Sequence, residues 1–267
     1  MKRALYTWVS VWIFIFLLNG CAIAPKKPDQ ILPGNYNYAK EYISWLIQKE
    51  MKKNQVMGLS IAIVDNQTIV WAKGFGYADV KLKKPATPET VYRIGSISKL
   101  FTVAATMQLA EQGIIDIDQP IKNYLPQFSV KTRFPDSDPI TLRTIMTHHS
   151  GLPSGVPKGM WTSESPKTLL DRLKDEYVAY PVNYVLSYSN AAMALLGLMI
   201  EQVCDTEFSA HMEQSVFDPI RIHRSSFELT PKIKSVLSKG YRNGKETDQL
   251  PLRDRAAGSM YSNVIDL

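Results

Sequence analysis

One stretch of the chain, Ala191–Val203, restricts the possible folds more than any other, because nearly all of its side chains are apolar. A helix that is apolar on every side has no face for water and must be enclosed by other elements. Ser189 and Asn190 stand directly before the stretch, and both are residue types that cap helix N-termini. The sequence therefore predicts a helix buried at the centre of a domain large enough to surround it.

A β-rich segment precedes this helical part of the chain. Leu59–Val64 and Thr68–Phe75 are rich in β-branched and aromatic residues, and the polar segment Asp65–Gln67 separates them. This pattern predicts a β-hairpin. Apolar residues at helical spacing over residues 38–53 predict a helix before the hairpin.

The order of the elements indicates the fold class. Helices joined by long loops are predicted from about residue 96 to residue 224, and strand character returns after Ser225, where Asn243-Gly244 favours a hairpin turn. The predicted fold is α/β (α+β), an antiparallel sheet flanked by helices, with an all-helical region inserted in the middle of the chain.

Residues 1–21 have the pattern of a secretory signal peptide. Lys2 and Arg3 precede the apolar stretch Ala4–Leu18, which is shorter than the ~20 residues of a membrane-spanning helix. The segment ends in Leu-Asn-Gly-Cys, which resembles a bacterial lipobox, so Cys21 is predicted to be lipidated and to become the mature N-terminus. An ordinary cleaved signal peptide is the alternative.

The rest of the chain is predicted to form a tether, residues 22–36, and one domain, residues 37–267. Cys204 would be the one cysteine left unmodified, so no disulfide is expected, and its place after an apolar run predicts a buried small hydrophobe. Ala22 after the lipidated cysteine resembles the sorting pattern of Gram-negative lipoproteins. The predicted location is the bacterial cell envelope, with a lipid anchor in the outer membrane facing the periplasm.

The net charge of the chain does not by itself identify a binding partner. The formal net charge is +6, and small lysine clusters most simply form a solvated surface, with attraction to an anionic membrane or cell-wall polymer as the alternative. No nucleic-acid-binding motif accompanies the charge, so no nucleic-acid partner is expected.

The candidate chemistry begins at Ser96 and Lys99, the single Ser-x-x-Lys match in the chain. Side chains three residues apart on a helix share a face, about 5–6 Å apart at Cβ. Apolar neighbours favour the neutral form of a lysine, and a neutral amine can take the proton of a serine hydroxyl, which makes a nucleophile–base pair. The alternative is structural: Ser96 or Ser98 caps the helix and Lys99 reaches the solvent.

Tyr188 and Asn190 form a second candidate set, in an extended segment before the apolar helix. The ammonium group of Lys99 would stabilise the anion of a nearby phenol, so Tyr188 could share or take the role of base. Asn190 could donate a hydrogen bond to a substrate carbonyl. The alternative is a helix cap beside a packed aromatic ring.

The adjacent residues His148 and His149 do not form a metal-binding pattern. The chain contains no His-Glu-x-x-His or Cys-x-x-Cys motif, so no metal ion or other cofactor is expected. Both histidines are interpreted as residues that structure a loop. The chain also lacks the Gly-x-Ser-x-Gly elbow of lipases.

Four segments in sequence order carry a family resemblance: VYRIGSISKLFTVAATMQLAEQGIIDIDQPIKNYLPQF, TLRTIMTHHSGLP, YSNAAMALLGLMIE and AAGSMYSNVIDL. They resemble successive segments of the class C β-lactamase-like serine hydrolases, which include penicillin-binding carboxypeptidases, esterases and β-lactamases. The resemblance runs from about Tyr38 to the last residue. In it, Ser96 matches the nucleophile, Lys99 the motif lysine, Tyr188 the tyrosine base and Asn190 the motif asparagine.

The resemblance implies acyl transfer to Ser96 from a β-lactam, a D-Ala-D-Ala-type peptide or an ester, that is, from a small molecule or a peptidoglycan-derived substrate in the cell envelope. The Ser96 N–H, at a helix N-terminus, would supply half of the oxyanion hole. The competing hypothesis is a non-catalytic envelope lipoprotein that keeps the fold as a binding module.

The third motif of that family, Lys/His-Thr/x-Gly, lies on a strand downstream of the segment that resembles AAGSMYSNVIDL. His149-Ser150-Gly151 fits the letters of the motif but belongs to an upstream loop, and it is rejected. We therefore expect a chain without the C-terminal strands and helix of the fold, either a fragment or the product of a prematurely stopped gene.

Overall fold

The structure is a computed structural model that describes residues 23–267. The predicted signal peptide, with Cys21, and Ala22 lie outside the described residues. Within residues 23–267 no helix combines the length and the apolar character needed to cross a bilayer. The chain divides into two compact units, one that ends at Val56 and one that spans Met57–Leu267.

The first unit contains helix α1 (Asn37–Asn54), which confirms the helix predicted over residues 38–53. Lys52 and Lys53 lie in its last turn, where positive charge interacts favourably with the helix dipole. The helix ends at Asn54, and Gln55 after it adopts the left-handed conformation that often closes a helix.

The second unit begins with the predicted hairpin. Strand β1 (Gly58–Asp65) pairs antiparallel with β2 (Thr68–Asp79), and the short strand β3 (Lys84–Pro85) extends the sheet beside β2. Asn66 and Gln67 form the turn with φ of 44° and 62°, the positive values that match the twist of a hairpin.

Two further antiparallel ladders, each of short strands, lie within the described residues. Strand β4 (Tyr92–Arg93) pairs with β7 (Tyr261–Ser262), and β5 (Gly240–Arg242) pairs with β6 (Lys245–Thr247). The second ladder confirms the Asn243-Gly244 turn predicted from the sequence.

Helices fill the middle of the chain, as predicted. The sequence analysis did not predict two short helices that follow Ser225. In chain order the helical elements are a 3₁₀ turn (Gly95–Ile97), α2 (Ser98–Glu111), a 3₁₀ turn (Ile121–Asn123), α3 (Leu142–Met146), α4 (Thr168–Leu173), α5 (Asn190–Cys204), α6 (Phe208–His211), a π-helix (Met212–Phe217), α7 (Pro231–Val236) and α8 (Arg255–Gly258).

Helix α5 lies at the centre of the main apolar core, which confirms the buried helix. Every residue from Ala191 to Ile200 is buried. Gly197 lets α8 approach α5 closely, because a Cβ at this position would lie only 2.7 Å from the Cβ of Ala256. Cys204 is only half-buried at the end of the helix, which corrects the expectation of a buried cysteine.

Candidate active site

The turn that carries Ser96 is fixed by backbone geometry and by its neighbour Ser98. Gly95 has φ +56°, a conformation that glycine adopts without steric cost. The Ser98 hydroxyl donates to the Gly95 carbonyl at 2.5 Å and accepts from the Met260 N–H at 3.1 Å. Ser98 therefore locks the turn, whereas Ser96 is exposed within the 3₁₀ turn that precedes α2.

Lys99 is buried, with only 7% of its surface exposed, so the alternative in which it reaches the solvent is wrong. Its Nζ lies 3.2 Å from Ser96 Oγ, 2.8 Å from Asn190 Oδ1 and 2.6 Å from the Ala257 carbonyl oxygen. Of its apolar neighbours in the sequence, Ile97 and Leu100 are exposed and Phe101 is partly buried, because adjacent helix residues point in different directions.

The three oxygen neighbours of Lys99 permit two protonation states. A carbonyl oxygen only accepts, so Lys99 donates one N–H to Asn190 Oδ1 and one to Ala257. The third position of the amine faces Ser96 Oγ and holds either the lone pair of a neutral amine or the third proton of an ammonium. This geometry allows a proton to pass between Ser96 and Lys99.

Tyr188 completes the cluster from a distant part of the chain. Its OH donates to Ser96 Oγ at 2.8 Å, and Lys99 Nζ lies 4.9 Å from the centre of its ring. Burial raises the pKa of the phenol, but hydrogen bonding with Lys99 and Ser96 and the charge of Lys99 outweigh burial and bring the pKa below its ordinary value of 10.0. Tyr188 is 44% exposed, so a substrate can reach it.

The start of α5 positions Tyr188 and Asn190. Ser189 Oγ accepts from the Ala192 N–H at 2.9 Å, so Ser189, and not Asn190, caps the helix. This leaves the Asn190 side chain to contact Lys99. With Oδ1 engaged, the Nδ2 group is the part of the amide that can donate to a substrate carbonyl.

The two adjacent histidines differ. His149 structures the loop as interpreted from the sequence: its Nδ1 lies 2.8 Å from the Thr147 carbonyl oxygen, and its own carbonyl accepts from the Asn183 N–H. His148 instead packs its ring on Tyr188, with 4.4 Å between ring centres.

The structure thus brings Ser96, Lys99, Tyr188 and Asn190 into one cluster. The sequence analysis missed two further members, the Ala257 carbonyl and the ring of His148. Every residue has a backbone carbonyl, so the sequence could not single out that of Ala257. For the His148 ring, the one available signal was its place within THHSGLP.

Comparison with known proteins gives a family and a fold. The profile of the beta-lactamase family matches residues 44–267. Beta-lactamase-like protein 2 of Dictyostelium discoideum is 28% identical over 280 residues, which cover 97% of this chain and 51% of that protein. This chain therefore spans about half the length of that curated relative.

Solved structures agree with the family match. The octameric penicillin-binding protein homologue from Pyrococcus abyssi superposes with a TM-score of 0.73 at 29% identity, over 86% of this chain and 54% of that one. A class C beta-lactamase from Rhodobacter sphaeroides gives a TM-score of 0.72 at 24% identity, over 84% and 62% of the two chains. The second likeness concerns the fold alone. These matches confirm the resemblance read from the sequence and the mixed α/β fold with an antiparallel sheet, and the chain belongs to the beta-lactamase family.

Proposed function

We propose that Ser96 is the nucleophile of a serine hydrolase that works through an acyl-enzyme. One observation carries this proposal: the exposed Ser96 Oγ lies within hydrogen-bond distance of both Lys99 Nζ, at 3.2 Å, and Tyr188 OH, at 2.8 Å. A serine hydroxyl is a weak nucleophile until a neighbouring group takes its proton. Two such groups contact this one.

The proposed reaction begins when Ser96 Oγ attacks the carbonyl carbon of the substrate. The hydroxyl proton passes to the pair formed by Lys99 and Tyr188, and the C–O bond to Ser96 forms as the carbonyl oxygen becomes an anion. The Ser96 N–H, in the turn before α2, donates to that oxyanion. The collapse of the intermediate breaks the bond to the leaving group, which takes up the proton.

Water then releases the acyl group. Tyr188 is the proposed base for this water, since its lowered pKa makes the phenolate more accessible than that of an ordinary tyrosine. The proposed substrates are β-lactams, D-Ala-D-Ala-type peptides and esters, whose carbonyl would accept from Asn190 Nδ2.

The proposed location is the bacterial cell envelope, with a lipid on Cys21. Its support is the order of Lys2, Arg3, the apolar stretch and Leu-Asn-Gly-Cys in the sequence. Metabolic labelling with a radioactive fatty acid tests it. The wild-type chain should take up the label and Cys21→Ala should not, whereas equal labelling of both would contradict the anchor.

Covalent labelling tests the nucleophile. A fluorescent penicillin or a fluorophosphonate should label the wild-type protein and a Ser60→Ala control but not Ser96→Ala. Labelling that survives Ser96→Ala would refute the assignment. The non-catalytic binding module would be favoured if the protein takes up no label and hydrolyses neither nitrocefin nor p-nitrophenyl esters but still binds peptidoglycan.

A further inference from the structure

His148 holds the segment that carries Tyr188 at three places. Its backbone carbonyl accepts from the N–H of Ser187 at 2.7 Å. Its ring Nδ1 accepts from the N–H of Ser189 at 3.3 Å. The same ring packs on the Tyr188 ring with 4.4 Å between the centres. The residues directly before and after Tyr188, and Tyr188 itself, are therefore all in contact with one histidine.

The ring contact depends on protonation. A backbone N–H always donates, so Nδ1 must offer a lone pair to Ser189, and the neutral ring then carries its proton on Nε2. A second proton can only go to Nδ1. It would replace the accepted hydrogen bond by two opposed N–H groups and add a second positive charge near that of Lys99.

We infer that His148 is a positioning residue that holds Tyr188 against Ser96 only while its imidazole is neutral, and that its protonation switches the site off at acidic pH. This inference rests on the proposed function, because it concerns the geometry of the proposed base. It gives His148 a role that differs from the loop role of His149.

The charged and titratable groups that face His148 are Lys99 of α2, Tyr188 of the segment before α5, and His149 of its own loop. Burial, then the positive charge of Lys99 and that of His149, lowers the pKa of the His148 imidazole below its ordinary 6.5. Because the pKa is lowered, the neutral ring and its hold on Tyr188 persist at neutral pH and are lost as pH falls through the shifted value.

Two substitutions at this position separate the hydrogen bond from the titration. His148 has φ 60°, which asparagine and glycine adopt more readily than other residues. His148→Asn keeps an acceptor oxygen near the place of Nδ1 but has no proton to gain in this pH range. His148→Gly removes both the ring and the acceptor without straining the backbone. His149→Asn is the matched control.

The experiment is a pH profile of kcat and KM for hydrolysis of nitrocefin or a p-nitrophenyl ester. All variants that keep Tyr188 share its titration; beyond that shared change, the wild type and His149→Asn should show an additional loss of kcat at acidic pH, and this additional loss should be absent in His148→Asn. His148→Gly should lose about tenfold in kcat, the effect of one hydrogen bond, with little change in KM. An acid loss that His148→Asn leaves unchanged would overturn the inference, because a merely structural role would lower activity equally at every pH.

A second measurement does not require turnover. In ¹⁵N-labelled protein the amide resonance of Ser189 should shift with the titration of His148, and this shift should be absent in His148→Asn. If no substrate or label reacts but Ser189 titrates, the proposed function fails while the histidine switch stands. If the Ser189 resonance does not change as His148 titrates, the switch is wrong whatever the activity.

Discussion

Two tyrosine–serine pairs in this molecule share a hydrogen bond and differ in chemistry. In the β-rich region the Tyr92 OH lies 2.9 Å from Ser60 Oγ, and in the site the Tyr188 OH lies 2.8 Å from Ser96 Oγ. Burial raises the pKa of Tyr92 and the bond to Ser60 only partly offsets it. The pKa of Tyr188 is lowered.

The difference comes from Lys99. The Ser60 hydroxyl has one proton and donates it to the Thr87 carbonyl at 2.6 Å, so it can only accept from Tyr92. No cation contributes to the pKa of Tyr92, whereas Lys99 stabilises the anion of Tyr188 through both a hydrogen bond and its charge. A tyrosine–serine hydrogen bond alone therefore does not activate either partner, and the buried amine is what separates the two pairs.

The largest expected effect comes from removing each serine in turn. Ser96→Ala should lower kcat by at least about 10⁴-fold, because a reaction through an acyl-enzyme loses its nucleophile. Ser60→Ala should leave kcat unchanged and cost about 1 kcal/mol of unfolding free energy for the lost hydrogen bonds. Steady-state hydrolysis and urea unfolding of both variants measure this. Equal losses of activity would mean that the two pairs do not differ in function.

Lys99→Met removes the charge while keeping a side chain of similar length. We expect kcat/KM to fall by about 10²- to 10⁴-fold and the pKa of Tyr188 to rise. The phenolate is the active base, so the activity of the wild type should increase with pH through a transition below 10.0. In Lys99→Met that transition should move upward.

Ultraviolet titration of the phenols is the direct measurement for this variant. The difference between wild type and Tyr188→Phe isolates Tyr188, and the difference between Lys99→Met and Lys99→Met/Tyr188→Phe isolates it without the amine. The difference between wild type and Tyr92→Phe isolates the reference tyrosine. In the wild type the two phenols should titrate on opposite sides of 10.0. A Tyr188 transition that Lys99→Met leaves in place would contradict the role of the amine.

The tyrosines themselves give a smaller contrast. Tyr188→Phe should lower kcat by about 10²- to 10³-fold, the loss of a general base, while its ring still packs on His148. Tyr92→Phe should keep wild-type kcat and lose about 1 kcal/mol of stability with its hydrogen bond. Steady-state kinetics and thermal unfolding of the two variants measure these effects. If Tyr92→Phe lowered kcat as much as Tyr188→Phe does, the two tyrosines would not differ in function.

The sequence predicted the elements that local pattern controls. The α5 helix follows from an apolar run after a cap residue, the first hairpin follows from two β-rich runs around a polar segment, and the second turn follows from Asn243-Gly244, which tolerates positive φ. The partners of Lys99 did not follow in the same way. Its helical spacing from Ser96 placed the two side chains on one face, but its burial depends on Asn190 and Ala257, which distant segments of the chain bring to it.

The same limit explains what the sequence left out. The Ala257 carbonyl is a backbone group on α8, a helix too short to give a periodic signal. His148 and His149 are adjacent in the sequence, and the fold of the loop turns one ring to Tyr188 and the other to Thr147. Side chains whose roles depend on long-range packing need the tertiary structure to separate them.

The smallest expected effect tests whether packing far from Ser96 sets the position of the amine. Gly197→Ala puts a methyl group 2.7 Å from the Ala256 Cβ, so α8 must move away from α5. The overlap costs about 1–3 kcal/mol, and the better helix propensity of alanine returns up to about 1 kcal/mol. Because Ala257 holds Lys99 at 2.6 Å, the shift should also lower kcat several-fold, about what a loss of 1 kcal/mol gives.

Ala194→Gly, on the same buried helix, is the control: it should lose similar stability without the kinetic effect. If both variants lose stability and neither loses activity, the Ala257 carbonyl does not position Lys99, and the contrast between the two tyrosine–serine pairs depends on Asn190 alone.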